Sequence, residues 1–387
     1  MDVKAAVRVH VTESRDSLIA LSHRIHAHPE LGFEEEKASS WVADALDAGG
    51  MRVERGGFDV PTALVATAGS GPLTIAICAE YDALPEVGHA CGHNCIAAAA
   101  VGAGLALARV ADDAGITVRV IGTPAEEGGG GKILLLERGA FDGVHAAMMV
   151  HPSPWEMIAM PCLAVSHLSV HFTGKAAHAS AMPEAGINAA DALTVAQVGI
   201  GLLRQHIRAS DRIHGIVTHG GAAPNIVPAS TEGRFYVRAS TLAELAELEP
   251  RVRRCFEAGA LATGCDLEMG TESPPYSEFL HDMQLAALYQ RNAEDLGRSF
   301  PDLGPGAERL AGSTDMANVS LTIPTIHPML GIDSGTASNH QPEFAAHCVR
   351  GAADQAVIDG AVAMAQTALD AALTPHVRDR LLAPTAG

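Results

Sequence analysis

Apolar and polar positions follow two different rhythms along this chain, and the point where one replaces the other marks its organisation. Residues 4–28 carry apolar side chains at helical spacing and stop before Pro29, because the residue preceding a proline is pushed out of the α region. A second helix is expected over 34–48, closed by Gly49-Gly50. Two apolar runs, 62–68 and 73–79, flank Gly69-Ser70-Gly71-Pro72 and read as a β-hairpin. An Ala-rich helix near 95–110, a strand at 116–123, a Gly-rich loop at 128–131, a helix ending near Gly139 and a strand at 146–150 follow. Strands alternating with helices in this way imply a largely parallel sheet covered by helices.

Near residue 162 the rhythm changes. Leu168, Val170 and Phe172 alternate with His167, Ser169, His171 and Thr173, the period-two pattern of a strand with one wet face. A helix at 186–209 and strands at 213–219 and 230–239 come next. Thr241 and Glu244 then form a capping box for a helix bearing Leu242, Leu245, Leu248, Val252 and Phe256, and a strand at 266–269 closes the series. This β-α-β-β-α-β order is ferredoxin-like. From about 274 the first rhythm resumes, ending in a long helix after Phe344. The expected organisation is therefore an outer domain over 1–163 and 274–387, interrupted by an inserted α+β domain over 164–273. A chain of 387 residues is long enough for two cores.

Composition narrows the class. Hydrophobic residues make up 48% and charged residues 18%, which excludes a disordered chain. A net charge of −19 argues against a nucleic-acid or anionic-membrane partner. Charged residues such as Asp2, Lys4 and Arg8 interrupt any secretory apolar segment, and no run of apolar residues is long enough to span a bilayer. Seven scattered cysteines, an odd number, suit reduced thiols, so a cytoplasmic protein is expected.

The richest chemistry lies at residues 80–95, where a strand end feeds a loop and then a helix. That is where an open α/β sheet places its reactive groups. Cys91 and His93 form a C-x-H pair of soft and borderline ligands, which points to a transition metal. Glu126 and Glu127 sit together just past the strand at 116–123. Consecutive side chains point in different directions, so one can ligate a metal while its neighbour faces the substrate as a general base. His151 follows another strand, and His340 lies in a Gly/Ser/Asn-rich loop. The segment 128–132 imitates a phosphate-binding loop but fails, since Ile133 stands where a hydroxyl is required. In the inserted segment, His178 lies just beyond a strand, Asn225 could donate to a carboxylate or oxyanion, and Arg238 could clamp a carboxylate. His23, His26 and His28 read as packing or capping groups, and His167 and His171 as structural.

Several motifs together resemble one family. His-Ala-His-Pro-Glu-Leu-Gly-Phe-Glu-Glu at 26–35, Tyr-Asp-Ala-Leu-Pro at 81–85, His-Ala-Cys-Gly-His-Asn at 89–94 and Thr-Pro-Ala-Glu-Glu-Gly-Gly-Gly-Gly-Lys at 123–132 are similar to those of the two-metal aminoacylase/carboxypeptidase G amidohydrolases. The segments 174–179, 186–189, 224–229 and 312–315 fit the same pattern. The branch with p-aminobenzoyl-glutamate hydrolase and the β-alanyl dipeptide hydrolases is the most similar. The resemblance implies a zinc-peptidase-like α/β catalytic domain whose inserted ferredoxin-like domain serves as a dimerisation module or lid. It implies two divalent ions per subunit, zinc or manganese with cobalt and nickel as options, held by Cys91, His93, Glu127, His151 and His340. Glu126 would be the general base and Asp82 would orient ligands from behind. His178 would reach the scissile carbonyl, usually from the partner subunit of a homodimer, while Asn225 and Arg238 would bind substrate. Asn94 and Glu80 depart from the hippurate branch, where aspartates are common, and leave open whether Glu80 touches a metal.

The expected activity is metal-dependent hydrolysis of a small N-acyl amino acid or dipeptide-like amide, p-aminobenzoyl-glutamate-like or β-alanyl dipeptide-like. The alternatives are an aminopeptidase or dipeptidase acting on free-amine peptides, a metal-binding non-catalytic subunit, or a thiol enzyme using Cys91.

Overall fold

The structure, a computed structural model, describes residues 2–302, 304 and 310–383; residue 1 and residues 384–387, the extreme ends of the expected outer domain, lie outside them. The chain divides into two compact units, Met1–Pro161 with Phe279–Gly387, and Cys162–Glu278.

The outer unit begins with α1 (Val3–Glu13), α2 (Arg15–His26), α3 (Glu36–Ala48), β1 (Arg52–Arg55), β2 (Leu64–Gly69) and β3 (Leu73–Ala79). It continues through α4 (His93–Ala108), α5 (Ala111–Ala114), β4 (Ile116–Gly122), α6 (Gly131–Glu137), β5 (Ala146–Met148) and β6 (His151–Ser153). The inserted unit holds β7 (Ala164–Thr173), α7 (Ala189–Leu203), β8 (Arg212–His219), β9 (Ser230–Ala239), α8 (Leu242–Thr263) and β10 (Asp266–Thr271). The outer unit then resumes with α9 (Met283–Glu294), α10 (Met316–Ser320), β11 (Thr325–Ile326), β12 (Met329–Gly331), α11 (Pro342–His347), α12 (Gly351–Leu373) and α13 (Pro375–Leu382).

The outer sheet has the order β1-β2-β4-β3-β5-β11, with β4, β3, β5 and β11 mutually parallel. Every residue of β3 is buried, as a run apolar but for Thr74 demands of a central strand. β4 and β5 lie on opposite sides of β3, so the sheet reverses its winding there and the loops leaving all three strands converge at one edge. Behind the sheet, α4 is apolar on every side and packs against α12. The glycines of α4 permit this closeness: a Cβ on Gly102 would stand 2.9 Å from Ala361 of α12, and one on Gly104 2.2 Å from Val120 of β4. By length and composition α12 would suffice to cross a membrane, but 83% of its apolar stretch is buried inside this unit.

Two expectations fail here. The single helix over 4–28 is two helices, α1 and α2, meeting at Ser14. The hairpin over 62–79 does not form, because β2 pairs with β4 and β1, and β4 separates it from β3. Turn residues mark where a chain bends and not which strand it pairs with. The fully buried β3 needs a strand on both sides, and β4 and β5 provide parallel ones. Shorter differences follow the same logic: the strand expected over 146–150 ends at Met148 as β5, and a separate strand, β6, begins at His151 and pairs with β12 in its own two-stranded sheet.

The inserted unit is a four-stranded antiparallel sheet of order β10-β7-β9-β8, with α7 and α8 packed on it over Leu168, Val170, Phe172, Phe235 and Phe256. This is the ferredoxin-like arrangement. The unit runs on to Glu278 because Tyr276 bridges Val165. The face of β7 expected to be wet is closed at His167, which is buried between Tyr236 and Tyr276 and bonded to the Ser273 hydroxyl.

Candidate active site

Loops at the carboxyl ends of β3, β4 and β5 bring the outer unit's predicted residues together. Past β3 the chain carries Glu80 and Asp82, both buried, then bends through Gly88 into the segment with Cys91. Gly92 caps α4 at φ 80°, and a Cβ there would lie 2.8 Å from the Pro152 ring, so this position requires glycine. His93 is thereby the first residue of α4. Past β4, Ala125 holds a left-handed φ of 57°, unusual for a residue with a Cβ, and turns Glu126 and Glu127 inward. His151 opens β6, and the His340 amide donates to the Ala90 carbonyl at 2.8 Å, which ties the distant 335–340 loop to the same place.

Two donor sets share one atom. Cys91, His93 and His151 form one, and Cys91, Glu127 and His340 the other. The Cys91 sulfur lies 3.5 Å from His151 Nε2 and 3.6 Å from His340 Nε2. A thiolate and an imidazole bound to one tetrahedral zinc-sized ion stand roughly 3.6 Å apart, given ligand distances of about 2.3 and 2.0 Å. The ring orientations agree. His93 Nδ1–H donates to Asp82 Oδ1 at 3.0 Å, and His151 Nδ1–H donates to the Pro152 carbonyl at 2.8 Å. Each bond leaves Nε2 as the bare lone pair, the usual way a fold presents a histidine ligand. His93 Nε2 and Glu127 Oε1 are buried without a hydrogen-bond partner, which a coordinated cation would supply. These residues fit a pair of metal ions.

The electrostatics point the same way. Burial, reinforced by Glu80 and Glu127, pushes the Glu126 carboxyl well above its ordinary range, and burial raises Glu127 as well. Burial drives His151 down to about 4, so its ring is neutral and able to ligate at neutral pH. Burial opposes a charge on His93, yet Asp82 and the other anions around it raise its pKa. Burial also raises Asp82, but His93 and the Glu127 amide outweigh it and keep the carboxylate ionised. A buried cluster of carboxylates with so few cations is a natural receptor for divalent ions.

Three neighbours escaped the sequence reading. Glu35 accepts the Ala125 amide at 2.8 Å and so braces the loop that carries Glu126. Lys132, wholly buried, pairs with Asp315 and with Glu80. Glu35, Lys132 and Asp315 all lay within recognised motifs, and Lys132 also in the failed phosphate-loop pattern, but nothing in their spacing shows that they meet. His23, His26 and His28 bond separately to Asp354, the Ala345 carbonyl and the Arg24 carbonyl.

In the inserted unit, His178 and Asn225 come together. Both are exposed, His178 bridges Ile226, and the Ala179 amide donates to the Asn225 carbonyl at 3.0 Å. Arg238 is not with them. It lies at the other end of β9, beside His214 and over the Tyr236 ring. The loops of His178 and Asn225 adjoin the end where Ser230 pairs with Thr173, whereas Arg238 pairs with Val165. Eight strand residues at the usual rise separate the two ends by roughly 27 Å.

Comparison with known proteins agrees with this geometry. The model of peptidase family M20/M25/M40 matches residues 76–370. The chain belongs to peptidase family M20. It is 38% identical to the Xaa-Arg dipeptidase of Mus musculus, over 96% of this chain and 89% of that protein. It is 34% identical to one of the subunits of the p-aminobenzoyl-glutamate hydrolase of Escherichia coli, over 67% of this chain and 58% of that one. Among solved structures, a dinuclear metal binding M20 peptidase from Bacillus subtilis superposes with a TM-score of 0.67 at 23% identity, covering 94% of this chain and 99% of that one. The aminobenzoyl-glutamate utilization protein of Klebsiella pneumoniae gives 0.72 at 20%, covering 95% and 98%. At such identities the likeness is one of fold: an M20 catalytic domain carrying an inserted domain. The protein is thus an M20 hydrolase of small amide substrates, with donor clusters suited to metal ions.

Proposed function

We propose that this M20 protein hydrolyses a small N-acyl amino acid or dipeptide-like amide, with two divalent ions, zinc or manganese by preference, held by Cys91, His93, Glu127, His151 and His340. The observation that carries the reading is the pair of donor sets sharing Cys91, with Glu126 beside them. Bound there, the ions supply Lewis acidity that makes water a nucleophile at neutral pH and polarises the carbonyl. Glu126 takes the proton from that water as its oxygen attacks the amide carbon. It then gives the proton to the nitrogen as the C–N bond breaks, acid after base. Asp82 holds His93 in register and His178 meets the carbonyl oxygen, while Asn225 and Arg238 bind the rest of the substrate.

The separation of Arg238 from His178 and Asn225 supports a homodimer. A small substrate cannot touch both ends of one inserted sheet, so a second copy would supply one of the two sets. The surface for it is on the same unit: β8 is a sheet edge with Ile216 63% and Val217 47% exposed, and α7 shows Val195, Val198 and Leu202 in one apolar stripe. Leu202→Asp with Ile216→Asp is expected to turn a sedimenting dimer into a monomer and to remove most turnover. A wild-type chain that sediments as a monomer at full activity would refute the arrangement.

The likeness to the dipeptidase and the p-aminobenzoyl-glutamate hydrolase supports a substrate with a free carboxylate. The test is a panel of p-aminobenzoyl-glutamate, β-alanyl-lysine, Xaa-Arg dipeptides, hippurate and N-acetyl amino acids, with their carboxamide counterparts. Cleavage of one class, lost when the carboxylate is capped, is the expected result. Equal rates on the carboxamides would exclude carboxylate recognition, and preference for longer free-amine peptides would favour an aminopeptidase.

A further inference from the structure

Beneath the candidate metal centre lies a charged group that the mechanism above does not use. The Lys132 side chain is completely buried, and so are its partners Glu80 and Asp315. Asp315 grips the lysine twice, accepting from its ammonium at 2.7 Å and from its backbone amide at 2.8 Å. The ammonium also meets Glu80 Oε1, while Glu80 Oε2 points the other way, 3.4 Å from His93 Nε2. Folding alone gives no reason for this arrangement, because a buried ion pair can usually be replaced by packed apolar side chains without loss.

A reason appears in the third group of donors. Besides the two sets sharing Cys91, Glu80, His93 and Glu126 also bring ligand atoms close enough together to hold a cation. A metal captured there would take Glu126 as a ligand. A coordinated carboxylate cannot collect the proton from water, so this third site is a trap for the enzyme. We propose that Lys132 is a positioning residue that disarms the trap. Its ammonium, anchored by Asp315, occupies the far side of Glu80 and sets a fixed positive charge beside the third donor group. A divalent ion is repelled from that group and remains on the Cys91 side, which leaves Glu126 to act as base. The inference rests on the reading of Glu126 as general base.

Removing the cation while keeping the acid should arm the trap, and removing both should disarm it again. The variants are Lys132→Met and the double variant Lys132→Met/Glu80→Gln. Each is stripped of metal and titrated with zinc alone by calorimetry, with kcat and KM measured beside the wild type. The wild type is expected to take two equivalents. Lys132→Met should still take two equivalents, because the third group draws on the one lone pair of His93 Nε2 that the Cys91 set also uses. It should bind one of them at least about tenfold more tightly and lose about 100-fold or more in kcat, on the scale of a lost general base, with KM little changed. The double variant should return to the wild-type zinc affinity and recover most of the turnover. If Lys132→Met does not fold, Lys132→Gln, which keeps an N–H donor between the two acids, carries the same expectations. Wild-type zinc affinity and normal kcat in the lysine variant would overturn the proposal. So would a double variant that binds two ions and stays inactive. A wild type that cleaves no amide would instead fault the functional reading itself.

Discussion

Glu126→Gln keeps its metals and loses turnover by roughly 10²–10⁴-fold, the usual contribution of a positioned proton-transfer group. The substitution is nearly isosteric, and the loop that holds it is braced elsewhere: the Ala125 amide on Glu35 and the Glu127 amide on Asp82 Oδ2 both remain. The donor sets that share Cys91 do not include Glu126. Metal content and thermal stability should therefore stay close to wild type while kcat falls, and KM should change little because the amide still fills the same space. Burial and the neighbouring Glu80 and Glu127 carboxylates already disfavour charge at this position. The uncharged glutamine thus removes an unfavourable burial and should not unfold the protein. A variant with normal kcat would end the assignment of Glu126 as base; one that has lost its metals would make it a ligand instead.

How much of this was legible in the chain depends on the kind of signal. The inserted domain could be read because its strands alternate cleanly and its helices carry caps, as at Thr241, whose hydroxyl accepts the Glu244 amide. The five candidate donors could be picked out because each sits in or at the edge of a loop, where residue type is constrained by chemistry more than by packing. Partnership between distant segments was not legible. The turn at 69–72 announces a bend, yet β2 chooses β4 across a whole helical crossover. Lys132 looks like an ordinary residue in a Gly-rich loop, and only the fold carries Asp315 to it from far along the chain. Arg238 matched a substrate-binding pattern, but the length of β9 decides that it cannot share one end of the unit with His178.

Cys91→Ala has the other large effect. Cys91 belongs to both donor sets, whereas His151 and His340 belong to one each, so its loss weakens both sites at once. In the proposed centre two ions would share its thiolate. Burial, then the Glu127 carboxylate, holds the free thiol well above its ordinary pKa, so ion binding must release its proton. Affinity in the wild type should accordingly fall as pH falls, and Cys91→Ala should lose most of that dependence along with most of its affinity. His340→Ala, by contrast, leaves Cys91, His93 and His151 intact and should keep one ion. The decisive measurement is the metal content per chain of dialysed wild type, Cys91→Ala and His340→Ala, by elemental analysis, with amide cleavage recorded on the same samples. The account predicts about two ions, almost none, and about one, with cleavage in the wild type alone. Two ions and undiminished cleavage in the cysteine variant would contradict a centre built on Cys91.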